Sequence, residues 1–539
     1  MAGSAPNAFN LAPGGANSAI RGFCVSQTNN DGIYINGAPS VTIEGCWIGL
    51  LNTGLLPGGA PSNKVGGHGI YITGASNNCN IGVAGTSKQN VISGTLGHGA
   101  VIVGCSGVVF KNNYIGTNTA GTAAISNAFH GLNFDNSPSA IIGGAAANEE
   151  NLISGNTQSG IVLANASSNA IIRGNKIGTN LAGTAAIANG ESGINIFTNV
   201  LNTIIGGNGQ TGEGNLISGN ALNGINVDNL SHGTIIKGNK IGTNLAGTVA
   251  VSNLLHGVYI QNSNNAIIGG GTKADRNLIS GNGNAAGENG IGIVNANGNT
   301  IHGNFIGTSV TGLVAIQNFD TGLSLTNSSG NTIGGASYMQ RNLISGNRIF
   351  GLYFSNVDNT TVTGNYIGTD STGNAVLPNL SHGLHADGGC NLNTWTSNVV
   401  GGNGQQGFDL LSTTNNVLYG NYVGLGINGT TKVANNSNGI RVGIGNSGAS
   451  TNNTIGGVGA GQRNYIAGNG NGTVPVVGSH GFNIDGGTTG TIIKGNYIGC
   501  DITGTVAIGN SGAGIMFING SNGGSVGGTA AGEGNLICC

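Results

Sequence analysis

Charged residues are scarce in this chain, and so are aromatic residues and proline. Lys, Arg, Asp and Glu make up 6% of the 539 residues, aromatic residues make up 5%, and there are 8 prolines. Ordinary soluble domains carry about 25% charged residues. Since 16 basic side chains stand against 18 acidic ones, no basic surface can follow a nucleic-acid backbone or an anionic membrane. We therefore expect no nucleic-acid partner.

Long apolar runs and ordered cysteine spacings are also missing. No stretch of about 18 apolar residues could span a bilayer, and the first 30 residues lack the parts of an export signal. The 8 cysteines fit neither a dense disulfide scaffold nor a zinc motif, and we expect no metal and no other cofactor. Cys538 and Cys539 replace a Ser-Gly pair of the repeat and are the candidates for a cross-link.

Glycine is abundant, at 107 residues, and much of it marks a repeat. A glycine followed by alternating apolar and polar residues recurs from Gly32 to Gly514, as 16 anchors about 32 residues apart. Gly193-Ile-Asn-Ile196 and Gly224-Ile-Asn-Val227 are two successive copies. Alternation with period two is typical of a strand. Two further short apolar phrases follow each anchor, so that each repeat predicts three strands.

Three short strands joined by Gly and Asn turns cannot form hairpins at this spacing, but parallel stacking of the repeats buries every apolar column. The sequence therefore predicts an all-β fold. We expect a single parallel β-helix solenoid of about 16 coils of about 32 residues, with three parallel sheets. Residues 1–31 are interpreted as a partial N-terminal coil or cap, and residues 32–539 as the repeats.

The anchor phrases, together with Asn-Leu-Ile-Ser-Gly-Asn at 151–156 and its copies, resemble the right-handed parallel β-helix repeats of bacterial secreted and surface proteins. These belong to the wider pectate-lyase-like superfamily. The resemblance covers essentially the whole chain and implies a right-handed coil and an extracellular or cell-surface location. The Asp pair and the Arg-X-Pro-X-X-Arg motif of the pectin-degrading members are absent. Since such coils serve lyases, glycosidases, adhesins and stalks, the resemblance leaves the function open.

One column interrupts the nearly uncharged surface. Two residues after the anchor, three successive coils carry His385, Asp409 and Arg441, with Tyr353 one coil before and Asp387 beside them. Neighbours in a stacked column lie about 4.8 Å apart. A carboxylate next to a histidine forms an acid/base pair suited to glycan chemistry. If the chain is an enzyme, the predicted catalytic residues are His385, Asp409, Asp387 and Arg441.

The same column is predicted to bind a ligand. Trp395 lies in the same irregular coil as His385, and aromatic rings beside polar groups often hold sugars. The predicted ligand-binding set is Tyr353, His385, Trp395, Asp409 and Arg441. The alternative is a surface charge column of little energetic consequence.

A second run, Asp31, His68, His98 and His130, occupies the position just before the anchor in four consecutive coils. Such a run could bind a transition metal. Ser, Asn and Thr fill the same position in later coils, which favours a polar turn position over a metal site.

The neutral faces and the open parallel edges favour a non-enzymatic function. We expect an extracellular structural or surface protein that assembles with its own copies into a homo-oligomer, filament or sheath, or that acts as an adhesive stalk. The chain stops inside a repeat, at 535–539, which fits either such an assembly or a piece of a longer protein. The alternatives are a carbohydrate-active enzyme or glycan-binding protein acting on an extracellular polysaccharide, and a receptor-binding spike.

Overall fold

The computed structural model of the chain describes residues 6–57, 64–207, 212–470 and 479–538. Two short 3-10 turns lie at Pro13–Gly15 and Tyr338–Gln340, and strands provide nearly all other regular structure. No helix in the described ranges has the length and apolar character needed to cross a bilayer. The chain divides into two compact units, one of residues up to 267 with 274–277, the other of 268–273 with the residues from 278 onward.

The described strands form three sheets, called A, B and C here, with 18, 17 and 17 strands. Sheet A contains the strands that follow the anchor glycines: Phe9–Leu11, Ile33–Asn36, Ile70–Thr73, Ala100–Val103, Leu132–Asp135, Ile161–Ala164, Ile194–Phe197, Ile225–Val227, Val258–Gln261, Ile291–Val294, Leu323–Ser329, Leu352–Asp358, Leu384–Asp387, Phe408–Leu411, Ile440–Gly445, Gly448–Ala449, Phe482–Ile484 and Ile515–Phe517.

Sheet B contains the second strand of each coil: Ala19–Arg21, Thr42–Glu44, Asn80–Ile81, Val109–Phe110, Ile141–Ile142, Ile171–Ile172, Ile204–Gly206, Ile235–Lys237, Ile267–Gly269, Thr300–His302, Thr332–Gly334, Thr361–Thr363, Thr394–Thr396, Val417–Tyr419, Thr454–Gly456, Ile492–Lys494 and Ser525–Val526.

Sheet C contains the third strand: Cys24–Val25, Trp47–Ile48, Asn90–Ile92, Asn113–Ile115, Leu152–Ile153, Lys176–Ile177, Leu216–Ile217, Lys240–Ile241, Leu278–Ile279, Phe305–Ile306, Leu343–Ile344, Tyr366–Ile367, Val399–Val400, Tyr422–Val423, Tyr465–Ile466, Tyr497–Ile498 and Leu536–Ile537.

Apart from Gly448–Ala449, which pairs antiparallel with Ile440–Gly445, the strands pair in parallel with the equivalent strands of neighbouring coils. Ile194 pairs with Ile225 and Asn195 with Asn226, so that like residues lie over like residues. The inward residues of the strands before the last coil, chiefly Ile, Val and Leu, are buried in the interior. This arrangement confirms the predicted parallel β-helix with three parallel sheets. The chain before residue 32 supplies one strand to each sheet, and these strands pair in register with the following coil.

The anchor glycines are explained by close approach of neighbouring coils. A Cβ atom on Gly193 would lie 2.8 Å from the carbonyl oxygen of Gly224 and 2.8 Å from the Ile217 side chain. Backbone atoms at that distance cannot move away without breaking the parallel pairing. Glycine is therefore required where each coil enters sheet A.

Buried asparagines form columns of side-chain hydrogen bonds between coils. In the second unit the turns between sheets B and C contain Asn304, Asn342, Asn365 and Asn398. The Nδ2 of each of the first three donates to the Oδ1 of the next asparagine at 2.9 to 3.0 Å. Each Nδ2 also donates to a backbone carbonyl, as Asn365 does to Ile333 at 2.9 Å. An equivalent column in the first unit begins at Asn90 and Asn113. A second column occupies the turns that lead back to sheet A.

The polar position before the anchor is a column of hydrogen-bond acceptors. The Nδ1 atoms of His68 and His98 each accept the backbone N–H of the next histidine in the column, at 3.1 Å. Asn223 and Asn438 do the same with their side-chain oxygens. Because Nδ1 is an acceptor, the proton of each neutral imidazole lies on Nε2. The interchange of His and Asn therefore has a physical basis in the backbone amide that each must satisfy.

Cys46, Cys79, Cys105, Cys390 and Cys500 are buried free thiols, and Cys24 is exposed. Cys538 is a half-buried free thiol, and Cys539 lies outside the described residues. Burial first, and the neighbouring Cys538 second, raise the pKa of Cys500 to about 12. The proposed cross-link through Cys538 and Cys539 stays a prediction.

Asn365→Ala should lower the free energy of unfolding by about 3 kcal/mol or more, because it removes several buried hydrogen bonds to partners in neighbouring coils, at about 0.5–1.5 kcal/mol each. Those partners are the Ile333 carbonyl, Asn398 Oδ1 and the amides of Asn342. Urea unfolding followed by circular dichroism measures the loss. Asn52→Ala, at an exposed position, is the control, and equal stability losses would contradict the role of the column.

His98→Asn should reduce the sensitivity of the fold to acid. Burial first, and the charges of His130 and His68 second, lower the pKa of His98 to about 3, whereas an unfolded histidine titrates near 6.5. The stability contributed by the neutral ring is therefore complete above about pH 6.5 and is lost as the pH falls toward 3. Asparagine keeps the acceptor but does not titrate. Unfolding measured between pH 7 and 4 should show a shallower decline in the variant than in the wild type.

Candidate functional site

Sheet A of the second unit contains the column that the sequence singled out. Tyr353 pairs with His385, His385 with Asp409, and Asp409 with Arg441, in four successive strands. Regular parallel pairing thus places the four residues one above another on the outward side of the sheet. The structure brings together Tyr353, His385, Asp409 and Arg441 as the spacing predicted.

Asp409 is the centre of this cluster, and its side chain is only 2% exposed. Its Oδ2 accepts a hydrogen bond from His385 Nδ1 at 2.8 Å and lies 3.4 Å from His382 Nε2. Its Oδ1 lies 3.1 Å from Arg441 Nε, as an ion pair without a well-directed hydrogen bond. Burial would raise the pKa of Asp409, but the His385 hydrogen bond and the charges of His382 and Arg441 together hold that pKa below its ordinary value.

His382 is a site residue that the sequence reasoning missed. It occupies the acceptor position before Gly383, where its Nδ1 accepts the Gln406 backbone N–H at 3.3 Å. The remaining proton is therefore on Nε2, which faces Asp409. Burial lowers the pKa of His382 to about 4, although the Asp409 charge opposes the shift. The neutral His382 ring therefore lies against the carboxylate, with Nε2 3.4 Å from Oδ2.

The spacing of three residues was the signal that could have revealed His382. The position before the anchor and the position two after it are in contact in other coils, as the rings of His256 and Tyr259 show at 4.7 Å. The same spacing places His382 5.3 Å from His385. Phe350 stacks on His385 at 4.9 Å and on His382 at 5.4 Å. The Phe350 ring therefore covers one side of the two imidazoles.

His385 is positioned to exchange a proton with a ligand. Its Nδ1 donates to Asp409, so that the lone pair lies on Nε2. Among the residues that the structure describes, Nε2 has no hydrogen-bond partner, and the side chain is 14% exposed. A carboxylate that fixes the tautomer of a histidine while the opposite nitrogen faces outward is the arrangement of a general acid/base.

Asp387 does not join this cluster. It is buried, and it accepts the backbone N–H groups of Gly388 and Asn446. These bonds attach it to a hairpin formed by Ile440–Gly445 and Gly448–Ala449, in which Ile444 pairs with Ala449. Asp387 therefore holds the hairpin. This geometry does not support the predicted catalytic role of Asp387.

Trp395 also lies away from the site. Its strand belongs to sheet B, where the indole points inward, is fully buried and packs near Phe408 with ring centroids 6.4 Å apart. The prediction that Trp395 presents a ring to a ligand is wrong, because alternation along the strand turns this residue toward the core. Cys390 is buried too, and burial raises the pKa of its thiol to about 11.

His382, His385 and Asp409 could contribute one ligand atom each to a metal ion, since those atoms lie within 4.8 Å of one another. The surroundings favour a different use. Arg441 already places a positive charge against Oδ1 of the carboxylate, and a divalent cation would be repelled by it. The cluster is better suited to proton transfer than to holding a metal.

Comparison with known proteins gives matches among solved structures alone, since no family model and no curated protein matches the chain. A mutant of the periplasmic alginate epimerase AlgG is 14% identical over 78% of this chain and 76% of that chain, with a TM-score of 0.37. The three parallel sheets make the chain a parallel β-helix.

Two further structures share the fold. The enzymatically active domain of Bacteriophage CBA120 tailspike protein 2 is 12% identical over 78% of this chain and 47% of that chain, with a TM-score of 0.34. A mutant DFA-IIIase from Arthrobacter chlorophenolicus A6 is 10% identical over 83% of each chain, with a TM-score of 0.32. At these identities the similarity concerns the fold.

The expectation of a non-enzymatic structural or surface protein is wrong. The similar structures carry the names of carbohydrate-active enzymes. Within the chain itself, a nearly uncharged surface holds a buried carboxylate bonded to an outward-facing histidine. The hydrogen-bonded pair in this chain favours the alternative interpretation over a structural column, because it is the arrangement of a general acid/base.

His382 should remain neutral throughout the range from pH 5 to 8, because burial holds its pKa at about 4. Asp409→Asn should lower that pKa further, since the Asp409 carboxylate favours the charged ring. Nitrogen-15 NMR of the imidazoles measures both effects. A His382 resonance that titrates near pH 6.5, with no response to Asp409→Asn, would contradict the described contact.

Proposed function

We propose that the chain is a carbohydrate-active enzyme that cleaves an acidic extracellular polysaccharide by β-elimination. The observation that supports this most is the 2.8 Å hydrogen bond between His385 Nδ1 and the buried Asp409, which leaves His385 Nε2 free on the outward side of sheet A. Such a histidine is a base suited to removing a proton from a carbon atom next to a carboxylate.

Three side chains have complementary parts in this reaction. His385 Nε2 takes the proton from the carbon that bears the sugar carboxylate, and the electron pair forms a double bond as the glycosidic oxygen departs. Tyr353, whose ring stacks on His385 at 5.6 Å, gives its phenolic proton to that oxygen and regains one from water. Arg441 uses Nε toward Asp409, and its outer nitrogens, on a side chain 29% exposed, neutralise the sugar carboxylate.

Elimination fits the site better than hydrolysis does. Glycoside hydrolysis uses two carboxyl groups that flank the bond, about 5 to 9.5 Å apart. Asp409 is locked among two histidines and an arginine, and Asp387 is engaged by the hairpin amides. Neither carboxyl group is presented to a ligand. The column of outward residues instead offers a base, an acid and a cation in successive coils.

His385→Ala should lower kcat/KM by about 100-fold or more, the contribution typical of a positioned base. The measurement is the ultraviolet absorbance of unsaturated products released from a panel of uronate-containing polysaccharides. Asp409→Asn should lower kcat more than it raises KM, because Asp409 positions His385 without touching the substrate.

His130→Asn serves as the matched control, since it keeps the acceptor function of a histidine in the first unit, where Nδ1 accepts the Ser159 N–H at 3.1 Å. It should leave turnover unchanged. Elimination that survives His385→Ala, or the absence of elimination with every acidic polysaccharide in the panel, would overturn the proposal.

A further inference from the structure

The turns between sheets B and C alternate in length along most of the chain. The long form is represented by residues 143–151, between Ile141–Ile142 and Leu152–Ile153, and the short form by residues 173–175 of the next coil. In the second unit, long turns precede Leu343 and Tyr465. The coil midway between them should have a long turn as well, but residues 397 and 398 alone connect Thr394–Thr396 to Val399–Val400.

The missing long turn opens a trough across three short turns in succession. A cleft of about 660 Å³ lies there, with Gly364, Ser397 and Gly420 on its floor and residues 335–341 and 457–463 as its walls. In the first unit, where one short turn separates two long ones, the corresponding cleft lined by Gly174 and Lys176 has about 290 Å³. The two walls of the trough are four coils apart, or roughly 19 Å at the spacing of parallel strands.

The trough also departs from the charge pattern of the other turns. Two residues before the buried asparagine, four long turns carry a carboxylate that pairs with a cation of the neighbouring short turn, and the long turn before Asn90 carries Lys88 instead. Glu149 pairs with Lys111 at 2.7 Å, and Glu213 with Arg173 at 2.8 Å. The two walls carry Gln340 and Gln462 at that position, and each glutamine side chain accepts a backbone N–H of its own turn.

The walls nevertheless carry positive charge. Arg341 follows Gln340, donates from Nε to the Gly364 carbonyl at 2.8 Å, and lies 3.9 Å from the centre of the Tyr366 ring. Among the residues that the structure describes, no ion pair involves Arg341 or Arg463, the equivalent residue of the other wall. The carbonyl and the ring hold the Arg341 guanidinium in place, and its outer nitrogens have no carboxylate to neutralise them.

Aromatic surface lies between the two arginines. Tyr422 and Tyr465 both line the cleft, and their rings stack at 5.1 Å. Rings of this kind bind the apolar faces of sugars, while a cation binds a carboxylate or other anionic substituent. A volume of this size also falls within the range of ligand pockets.

We propose that this trough binds a chain of anionic sugars at a site separate from the His385 column, with Arg341 as the anion-binding residue and Tyr422 as the stacking residue. The trough lies on the turns between sheets B and C, whereas His385 lies on the outer side of sheet A. The proposal rests on the proposed function for one point, that the ligand is a saccharide. Its purpose is to hold the polysaccharide while another segment is cleaved.

Isothermal titration with pentamers of galacturonate and of mannuronate tests the proposal on the full chain. At least one acidic pentamer should bind, more weakly at higher salt, whereas the neutral maltopentaose should not. Arg341→Gln should weaken binding about tenfold or more, as expected for a lost charge-assisted hydrogen bond. Gln340→Glu, which restores the carboxylate present in other long turns, should weaken binding as well.

Two controls separate this site from others. Arg173→Gln removes an arginine that Glu213 already neutralises and should leave binding unchanged, and so should Lys111→Gln, which removes a cation paired with Glu149. Equal affinity in Arg341→Gln and wild type would overturn the proposal, as would inorganic phosphate that displaces the pentamer at equal concentration. Binding with no turnover would count against the proposed elimination alone, whereas turnover without an effect of Arg341→Gln on binding would count against the trough alone.

Discussion

The structure depends on the hydrogen bonds of its buried asparagines. Each coil must turn three times with its backbone amides and carbonyls enclosed by the coils on either side, and enclosed polar groups require partners. Asn342 and Asn365 supply them, because the side-chain oxygen accepts an amide while Nδ2 donates both to a carbonyl and to the next asparagine. A side chain with one acceptor and two donors satisfies a coil and its neighbour at once. Few charged residues are needed in a fold stabilised in this way.

The same constraint makes departures from the repeat informative. Since each coil must present its asparagines at the same height, length can change only in segments that project from the surface. The coil that contains Leu384–Asp387 and Thr394–Thr396 loses such a projecting segment while keeping Asn398 and Asn403 in the columns. This one coil carries His382 and His385 on sheet A and opens the trough on the turns between sheets B and C. Both candidate sites therefore arise in the least regular repeat.

Burial decides which polar residues in that region can act. His382 and His385 are three residues apart and face the same carboxylate, yet His382 uses Nδ1 to satisfy a backbone amide whereas His385 keeps one nitrogen outward. The first is therefore engaged by the backbone, whereas the second keeps a nitrogen available to a ligand. The two carboxylates also differ in their contacts. Asp387 accepts an amide of the hairpin at 440–449, and Asp409 lies against the two imidazoles. Composition and spacing alone do not distinguish the buried residues from those that can contact a ligand.

The sequence by itself determined the parallel coil, the strand phrases and the column of Tyr353, His385, Asp409 and Arg441, because a repeat of constant register places equivalent residues over one another. It also predicted an acid/base pair there. Only the tertiary structure decided that Trp395 faces the core, that Asp387 holds a hairpin, and that His382 belongs to the site. Those outcomes depend on which side of a strand faces inward and on which turn lies over the next. The sequence of one repeat does not specify either of these.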